Sequence, residues 1–335
     1  MRHRNKEKPR VQISLVESEP QENDHFFRGP CAFMMISDIL ASFLAILWYL
    51  GHMPRPNLYF FAFELLVLVL FLICLLNAWR RGSWVVWQLL AGVLFGLLLE
   101  WATIQQLDAY EYGNFLLMLG PVPLIIGVAW GTIIYSVRAF SDSTNLPECV
   151  RPVLDGLLAL SIDLSMDAVA IRLDMWDWGK GLDYQYFGVP YNNFWAWFWV
   201  VFSFSFSLRM LSKLPGFSGR WLSPAGAIIC GTSGVLITNR LITSINIDLV
   251  HYSAIIAVLG GALLLVLLLR PKIYAQSSSA FIFLVPLGFH AYFLTAGLIS
   301  HVILDPPFLL MVSMIMCMIA LGLHREALKC WYRSK

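Results

Sequence analysis

Charge is scarce in this chain. Asp, Glu, Lys and Arg together make up 13% of its 335 residues, where a soluble domain carries roughly 25%. So few charges cannot clothe a water-soluble protein of this size. With 59% hydrophobic residues and a mean hydropathy of +0.69, the composition predicts an all-α, polytopic transmembrane helical bundle. The formal net charge of +2 gives no case for a nucleic-acid partner. Cysteine is also sparse: six residues with no CxxC pair, which excludes a disulfide framework of the usual kind. Cys74, Cys230 and Cys317 fall in apolar runs and read as small core residues.

Several chemical signatures are missing too. No GxGxxG follows a strand, which argues against a flavin or nicotinamide fold. There is no Walker A sequence to bind ATP and no GxSxG of a serine esterase. The seven histidines are scattered, without the clusters that hold two irons in membrane hydroxylases. No cofactor and no metal is expected on these grounds.

What is present is a series of apolar segments. A spanning helix needs about 20 mostly apolar residues. Ten candidates run near 31–50, 58–78, 84–103, 115–136, 152–171, 190–209, 222–240, 251–269, 279–299 and 307–323. Residues 1–29 read as a polar cytoplasmic tail, 30–324 as the transmembrane domain and 325–335 as a basic cytoplasmic tail. Of the 23 Lys and Arg residues, only Arg55, Arg172, Lys180 and Arg240 fall on the side opposite the N-terminus. The positive-inside rule then places both termini in the cytoplasm, of a multi-pass protein expected in the plasma (inner) membrane. Gly127 and Gly131 form a GxxxG pair that suits a helix contact.

Ionisable groups in hydrocarbon cost a few kcal/mol each at mid-helix and are functional suspects. Those inside apolar segments are Asp38, Glu64, Glu100, Asp155, Asp163, Asp167 and His290. Asp163 and Asp167 are four residues apart, so their carboxyls share one helix face about 6 Å apart. Counted from the outer helix ends, Asp167, Asp163 and Glu100 lie about 6, 12 and 5 Å deep. The outer loops carry Tyr110, Tyr112, Trp176, Trp178 and Tyr186, and the next helix opens with Asn192 and Asn193. Together these make the densest polar and aromatic cluster in the chain. It reads as a water-accessible acid site, as a polar knot between helices, or as an interfacial aromatic belt. As a pure staple the acid pair is a poor choice, because two facing carboxylates repel. Asp38 and Glu64 read as partners of polar groups on neighbouring helices. Asp155 is expected to reach cytoplasmic water, and His290 reads as a hydrogen-bonded core group. Asn246, Asp248, His251, His301 and Asp305 share the outer side and are candidates to complete the site.

The run Asp163-Leu-Ser-Met-Asp167, then Trp176-Asp-Trp178, then Tyr186-Phe-Gly-Val-Pro-Tyr-Asn-Asn-Phe-Trp-Ala-Trp197 resembles a family of membrane carotenoid-biosynthesis proteins. These are the bisanhydrobacterioruberin hydratase and γ-carotene 1′,2′-hydratase group. Upstream, Glu100, Tyr110-x-Tyr112 and Leu119-Gly-Pro121 are similar to the family's acidic helix end, Tyr-x-Tyr and Leu-Gly-Pro. The resemblance covers about residues 95–200. The chain departs from the pattern at Ala168, where the family has Pro, and at Asn192, where it has Ser.

The resemblance implies a hydro-lyase that adds water to a terminal C=C of an acyclic carotenoid. In that reading Asp163 or Asp167 donates the proton. Trp176, Trp178 and Tyr186 face the carbocation, with Tyr110 and Tyr112 also lining the substrate site. The unprotonated carboxylate, with Glu100, activates water, and Asn193 positions it. Its partners are a lipid-soluble polyene, membrane lipids and, as a further option, other carotenoid-pathway enzymes. A cyclase or isomerase would begin with the same protonation. An intramembrane prenyltransferase would use a DxxxD for Mg²⁺ and a diphosphate, and a proton-coupled transporter would use buried acids with broken helices. Pro121, Pro123 and Pro286 leave room for such breaks.

Overall fold

Asn57 starts the first helix among the described residues by accepting a hydrogen bond from the Tyr59 amide at 3.2 Å, an N-cap of the usual kind. A computed structural model describes residues 57–107, 110–274 and 284–333; the predicted span at 31–50, with Asp38, and the tail at 1–29 lie outside them. Among the described residues nine α-helices follow in order: α1 Leu58–Arg81, α2 Ser83–Leu107, α3 Leu124–Asp142, α4 Arg151–Arg172, α5 Tyr191–Leu211, α6 Ser223–Thr243, α7 Asp248–Leu269, α8 Val285–Ile299 and α9 Pro307–Arg333. A single π-helical turn at Ser218–Leu222 leads into α6. The basic C-terminal stretch continues α9 as helix to Arg333.

Seven of these, α1, α2, α3, α5, α6, α7 and α9, are long and apolar enough to cross a membrane. The other two differ for physical reasons. At 22 residues α4 is long enough, but it carries Arg151, Asp155, Asp163, Asp167 and Arg172. It is buried along most of its length, as a polar helix in a bundle must be. Only 15 residues of α8 are helical, and residues 275–283 before it lie outside those described.

The predicted segment 115–136 needs correction. Its first residues are not helical. Strands β2 (Met118–Leu119) and β3 (Val122–Pro123) pair as a hairpin around Gly120, whose φ of +63° glycine adopts freely. Pro123 then caps α3 from outside, so neither Pro121 nor Pro123 breaks a helix. Pro286 sits in the first turn of α8, where proline is tolerated.

Small residues set the close packing of α2 on α3. A Cβ on Gly131 would meet the Val93 amide nitrogen at 2.7 Å, and one on Gly127 would meet Leu97 Cγ at 2.3 Å. The GxxxG pair is therefore the surface on which α2 rests. A Phe63–Phe289–Phe293 group ties α1 to α8, and Phe95 packs on Phe204 between α2 and α5. Cys74 is buried as expected, but Cys230 is exposed on α6.

Asp155 corrects a second expectation. It does not reach water but is fully buried. Arg209 of α5 pairs with it at 3.0 Å and the Ser205 hydroxyl donates to it at 2.5 Å. Arg209 also bonds Asp142 of α3, which pairs in turn with Arg151 at 3.3 Å. One ionic network thus locks the ends of α3, α4 and α5 opposite the acid pair. Glu64 accepts from the Leu116 amide at 2.8 Å, fixing the loop before β2, and His290 bonds the Ser165 hydroxyl oxygen at 2.8 Å.

Candidate active site

Two loops far apart in sequence are stitched together at one end of the bundle. β1 (Glu111–Tyr112) pairs antiparallel with β4 (Trp176–Asp177), with Tyr112 opposite Trp176. The Gly113 amide extends the pairing to the Met175 carbonyl at 2.9 Å. Gly113 has to be glycine there, since a Cβ would lie 2.5 Å from the Asp174 carbonyl oxygen. The ladder sets Tyr110 against Trp178, ring centroids 4.7 Å apart, and Tyr112 against Trp176 at 6.1 Å. Arg172, at the end of α4, holds the following loop by donating to the Phe187 carbonyl at 2.6 Å.

Beneath this ladder lies the acid pair. Asp163 and Asp167 stand one turn apart on α4, 0% and 3% exposed. Asn193, in the first turn of α5, reaches across to both. Its Nδ2 lies 3.0 and 3.1 Å from the two Asp163 oxygens and 2.6 Å from Asp167 Oδ2. An amide nitrogen has two hydrogens, so one serves each carboxyl. Among the described residues no cation forms an ion pair with either aspartate.

Glu100, near the end of α2, completes the acid set. Its Oε2 accepts from the Tyr112 hydroxyl at 2.8 Å and from the Tyr110 hydroxyl. Its Oε1 accepts from Trp130 Nε1 at 2.7 Å. Burial first, and the Glu100 charge second, hold both tyrosine hydroxyls well above the ordinary phenol range, so they stay protonated donors. Glu100 is an acceptor on both oxygens.

Two adjoining cavities meet at these groups. A narrow chamber of about 60 Å³ is lined by Asp167, Glu100, Asn193, Tyr110, Tyr112, Trp176 and Trp178, with Trp130, Trp197, Phe63 and Phe289. A wider cavity of about 460 Å³ runs between α2, α5 and α6 and shares Glu100, Tyr110, Trp130, Trp178, Asn193 and Trp197 with the chamber. It extends to Gly179, Lys180 and Tyr184 of the loop.

The sequence-predicted residues are therefore largely brought together, with two exceptions. Asp163 lines neither cavity; it touches the site through Asn193. Tyr186 lines neither one either, because its hydroxyl donates to the Leu164 carbonyl at 2.7 Å and its ring packs edge-on against Phe194. His251 sits behind Asn192, bonded to it at 2.5 Å. Asn246, Asp248, His301 and Asp305 are not part of the lining. Sequence reasoning missed Trp130, Phe63 and Phe289, which come from three different helices. The one signal for Trp130 was its place beside Gly131 on the tight α2–α3 contact. No group of three or more His, Cys, Asp or Glu able to hold a metal ion occurs among the described residues.

Neither a curated protein nor a solved structure matches the chain. The profile of a family described as carotenoid biosynthesis protein does match, over residues 56–268. That stretch takes in α1 through almost all of α7 and every residue lining the two cavities except Phe289. The chain belongs to the carotenoid biosynthesis protein family.

Proposed function

We propose that the protein is a hydro-lyase that adds water to a terminal C=C of an acyclic carotenoid, acting in the plasma membrane with both termini in the cytoplasm. The observation that carries the reading is the placement of the Asp167 carboxyl in an aromatic chamber, joined through Asn193 to a second buried carboxyl. Two carboxyls held that close without a cation share a proton. Asp167 faces the chamber and is the donor, while Asp163 and Asn193 position it.

In the first step the Asp167 O–H bond breaks and its proton joins the less-substituted carbon of the terminal C=C, leaving a tertiary carbocation on the other carbon. Trp176, Trp178, Trp130 and Trp197 line the same chamber, and an aromatic face turned to a cation stabilises it by roughly 0.5–2 kcal/mol. A water oxygen then bonds to the cation. Its surplus proton passes to the aspartate pair directly or through Glu100, whose two oxygens are both acceptors. The donor is thereby restored, and the net change is one water added.

The chamber has room for a few water molecules or a small branch, so the longer part of the substrate occupies the wide cavity, whose volume is typical of ligand sites. That cavity reaches the loop end at Lys180 and gives water a route to Glu100 and Asn193. The route favours hydration. The chamber's small size favours the rival outcome, in which a neighbouring double bond quenches the same cation and the substrate cyclises.

Expression in a lycopene-making host, beside Asp167→Asn, tests the reading by pigment mass. A product heavier by one water, absent in the variant, supports it. An isomeric product of unchanged mass supports cyclisation. Unaltered pigment with the protein present in the membrane overturns lycopene as the substrate.

A further inference from the structure

The ionic network opposite the acid pair holds more positive than negative charge. Arg209 and Arg151 occupy Asp142, and Arg209 also occupies Asp155. Lys213 and Glu148, at the same end, pair with each other at 3.0 Å and leave nothing over. Arg138 stands on α3 one turn before Asp142, within the fields of both aspartates and of the like charges Arg209 and Arg81. Among the described residues it makes no ion pair, and its Nε is buried without a hydrogen-bond partner. Four guanidiniums thus share two carboxylates. A cation held this way in a low-dielectric bundle is costly unless an anion pairs with it.

Arg81 brings a second cation to the same place. It ends α1 and reaches the Tyr135 hydroxyl, which donates to Asn77 Oδ1 at 2.8 Å. Tyr135 lies three residues before Arg138, on the same side of α3. Around the turn from α1 to α2, Trp79 and Trp84 are exposed beside Arg80 and Arg81. Exposed tryptophans next to arginines mark the headgroup level of a bilayer. Arg138 lies about 6 Å inside the end of α3, within reach of that level. From this juxtaposition we infer that Arg138 and Arg81 bind the phosphate of an anionic phospholipid headgroup, between the ends of α1 and α3. A phosphodiester offers one negative charge and two unesterified oxygens, which a planar guanidinium meets pairwise. Basic pockets between spanning helices hold such headgroups. The phosphate offsets the spare charge and joins α1 to the network that already links α3, α4 and α5. A zwitterionic headgroup carries its own cation and cancels that gain.

The test uses the whole purified protein, stripped of lipid in a non-ionic detergent, and does not depend on turnover. Phosphatidylglycerol, phosphatidylcholine or inorganic phosphate is titrated in while the thermal midpoint is followed. The native midpoint is expected to rise with phosphatidylglycerol at a roughly tenfold lower concentration than with phosphatidylcholine, and to respond little to inorganic phosphate. Arg138→Leu should lose that preference, and without lipid it should be at least as stable as the native chain, because an unpaired charge is gone. Arg138→Lys keeps the charge without the planar fork and should keep part of the preference. Arg220→Gln removes an exposed cation at the same end and should leave the preference intact. No preference in the native protein, an unchanged one in Arg138→Leu, or an equal loss in Arg220→Gln overturns the inference. So does a lipid-free Arg138→Leu far less stable than the native chain, since the charge would then already be paired. An equal rise with inorganic phosphate overturns the lipid as the source of the phosphate.

Discussion

The Nδ2 atom of Asn193 lies 2.6 Å from Oδ2 of Asp167, and the same nitrogen is within 3.1 Å of both Asp163 oxygens. One neutral amide thus bridges two buried carboxyls that would otherwise face each other unassisted. It fixes the Asp167 rotamer toward the chamber and leaves that carboxyl's other oxygen free of Asn193. Asn193 is a positioning residue in this arrangement, and its value lies in geometry rather than charge.

Asn193→Leu removes the bridge while keeping the bulk. The hydrated product is expected to fall about 10²-fold or more, within the range typical of a misplaced general acid. Asn193→Gln, with the same amide on a longer stem, should recover part of the loss. Product yield per unit of membrane protein checks both, and equal activity in Asn193→Leu and the native protein would remove Asn193 from the mechanism.

Glu100→Gln separates base from scaffold. The amide oxygen can still accept from Trp130 Nε1, so the ring stays in place. The acceptor able to take a proton from water is gone. Hydration is expected to drop roughly 10²–10⁴-fold with little change in thermal midpoint. A large fall in the midpoint with activity intact would show that the Tyr110–Tyr112–Trp130 cluster is a structural knot alone.

Much of this site could be read from spacing. Asp163 and Asp167 at i and i+4 must share a face, and Glu100 sits at the matching depth. The loops bearing Tyr-x-Tyr and Trp-x-Trp were legible as neighbours because both lie at one end of the bundle. What spacing cannot give is which of two carboxyls on one face turns into a cavity. That choice depends on Asn193, which arrives from another helix. Tyr186 shows the same limit, since an aromatic beside the site satisfies its hydroxyl on the Leu164 carbonyl and turns away. The helix predicted at 152–171 is present as α4, Arg151–Arg172, but it is not among the helices apolar enough to span a membrane, because a helix surrounded by other helices is free to be polar. Hydropathy failed at 115–123 because a Gly-Pro hairpin counts as apolar by composition. Asp155 looked wet by its position near a helix end, but its Arg209 partner lies 54 residues away in the chain.

Arg209 predicts a stability effect far from the chemistry. Removing it leaves Asp155 fully buried without its cation, a change that typically costs about 3–5 kcal/mol. Arg209→Met should therefore lower the thermal midpoint in detergent sharply. Arg209→Met combined with Asp155→Leu removes both charges and should recover much of the loss. No recovery in the double variant would mean that the remaining contacts of Arg209, with Asp142 and Ser141, carry the network.

Alkaline pH provides a test of the tyrosine pair. Burial, then the Glu100 charge, raises both hydroxyls in the folded chain, whereas an unfolded chain ionises its tyrosines near pH 10. Above about pH 10 the unfolded state loses these two protons while the folded state keeps them. Stability therefore falls as pH rises through this window. In the double variant Tyr110→Phe with Tyr112→Phe that part of the slope vanishes. Thermal midpoints at pH 9 and pH 11 should differ more in the native protein than in the variant. Equal differences would mean that these hydroxyls are not held in the protonated form.

The α2–α3 contact yields a way to disturb the chamber without touching a polar group. A Cβ on Gly96 would fall 2.5 Å from Trp130 Cβ and 2.9 Å from its ring carbons, too close for either to stay. In Gly96→Ala the indole must shift, and its Nε1 bond to Glu100, 2.7 Å in the native protein, lengthens or breaks. The ring also packs at a tilt against Trp197, centroids 4.3 Å apart, so both walls shared by the two cavities move together. Alanine favours the helix itself by about 1 kcal/mol over glycine, which offsets part of the packing cost. The expected outcome is a protein that still inserts in the membrane but loses most of its hydrated product. Its tryptophan fluorescence should change as Trp130 moves. Gly260→Ala on α7, where an added Cβ meets nothing within 4 Å, is the control and should leave product and fluorescence unchanged. Full activity in Gly96→Ala would mean that Trp130 is not needed where it stands, and the aromatic cage would have to be redrawn around Trp176, Trp178 and Trp197.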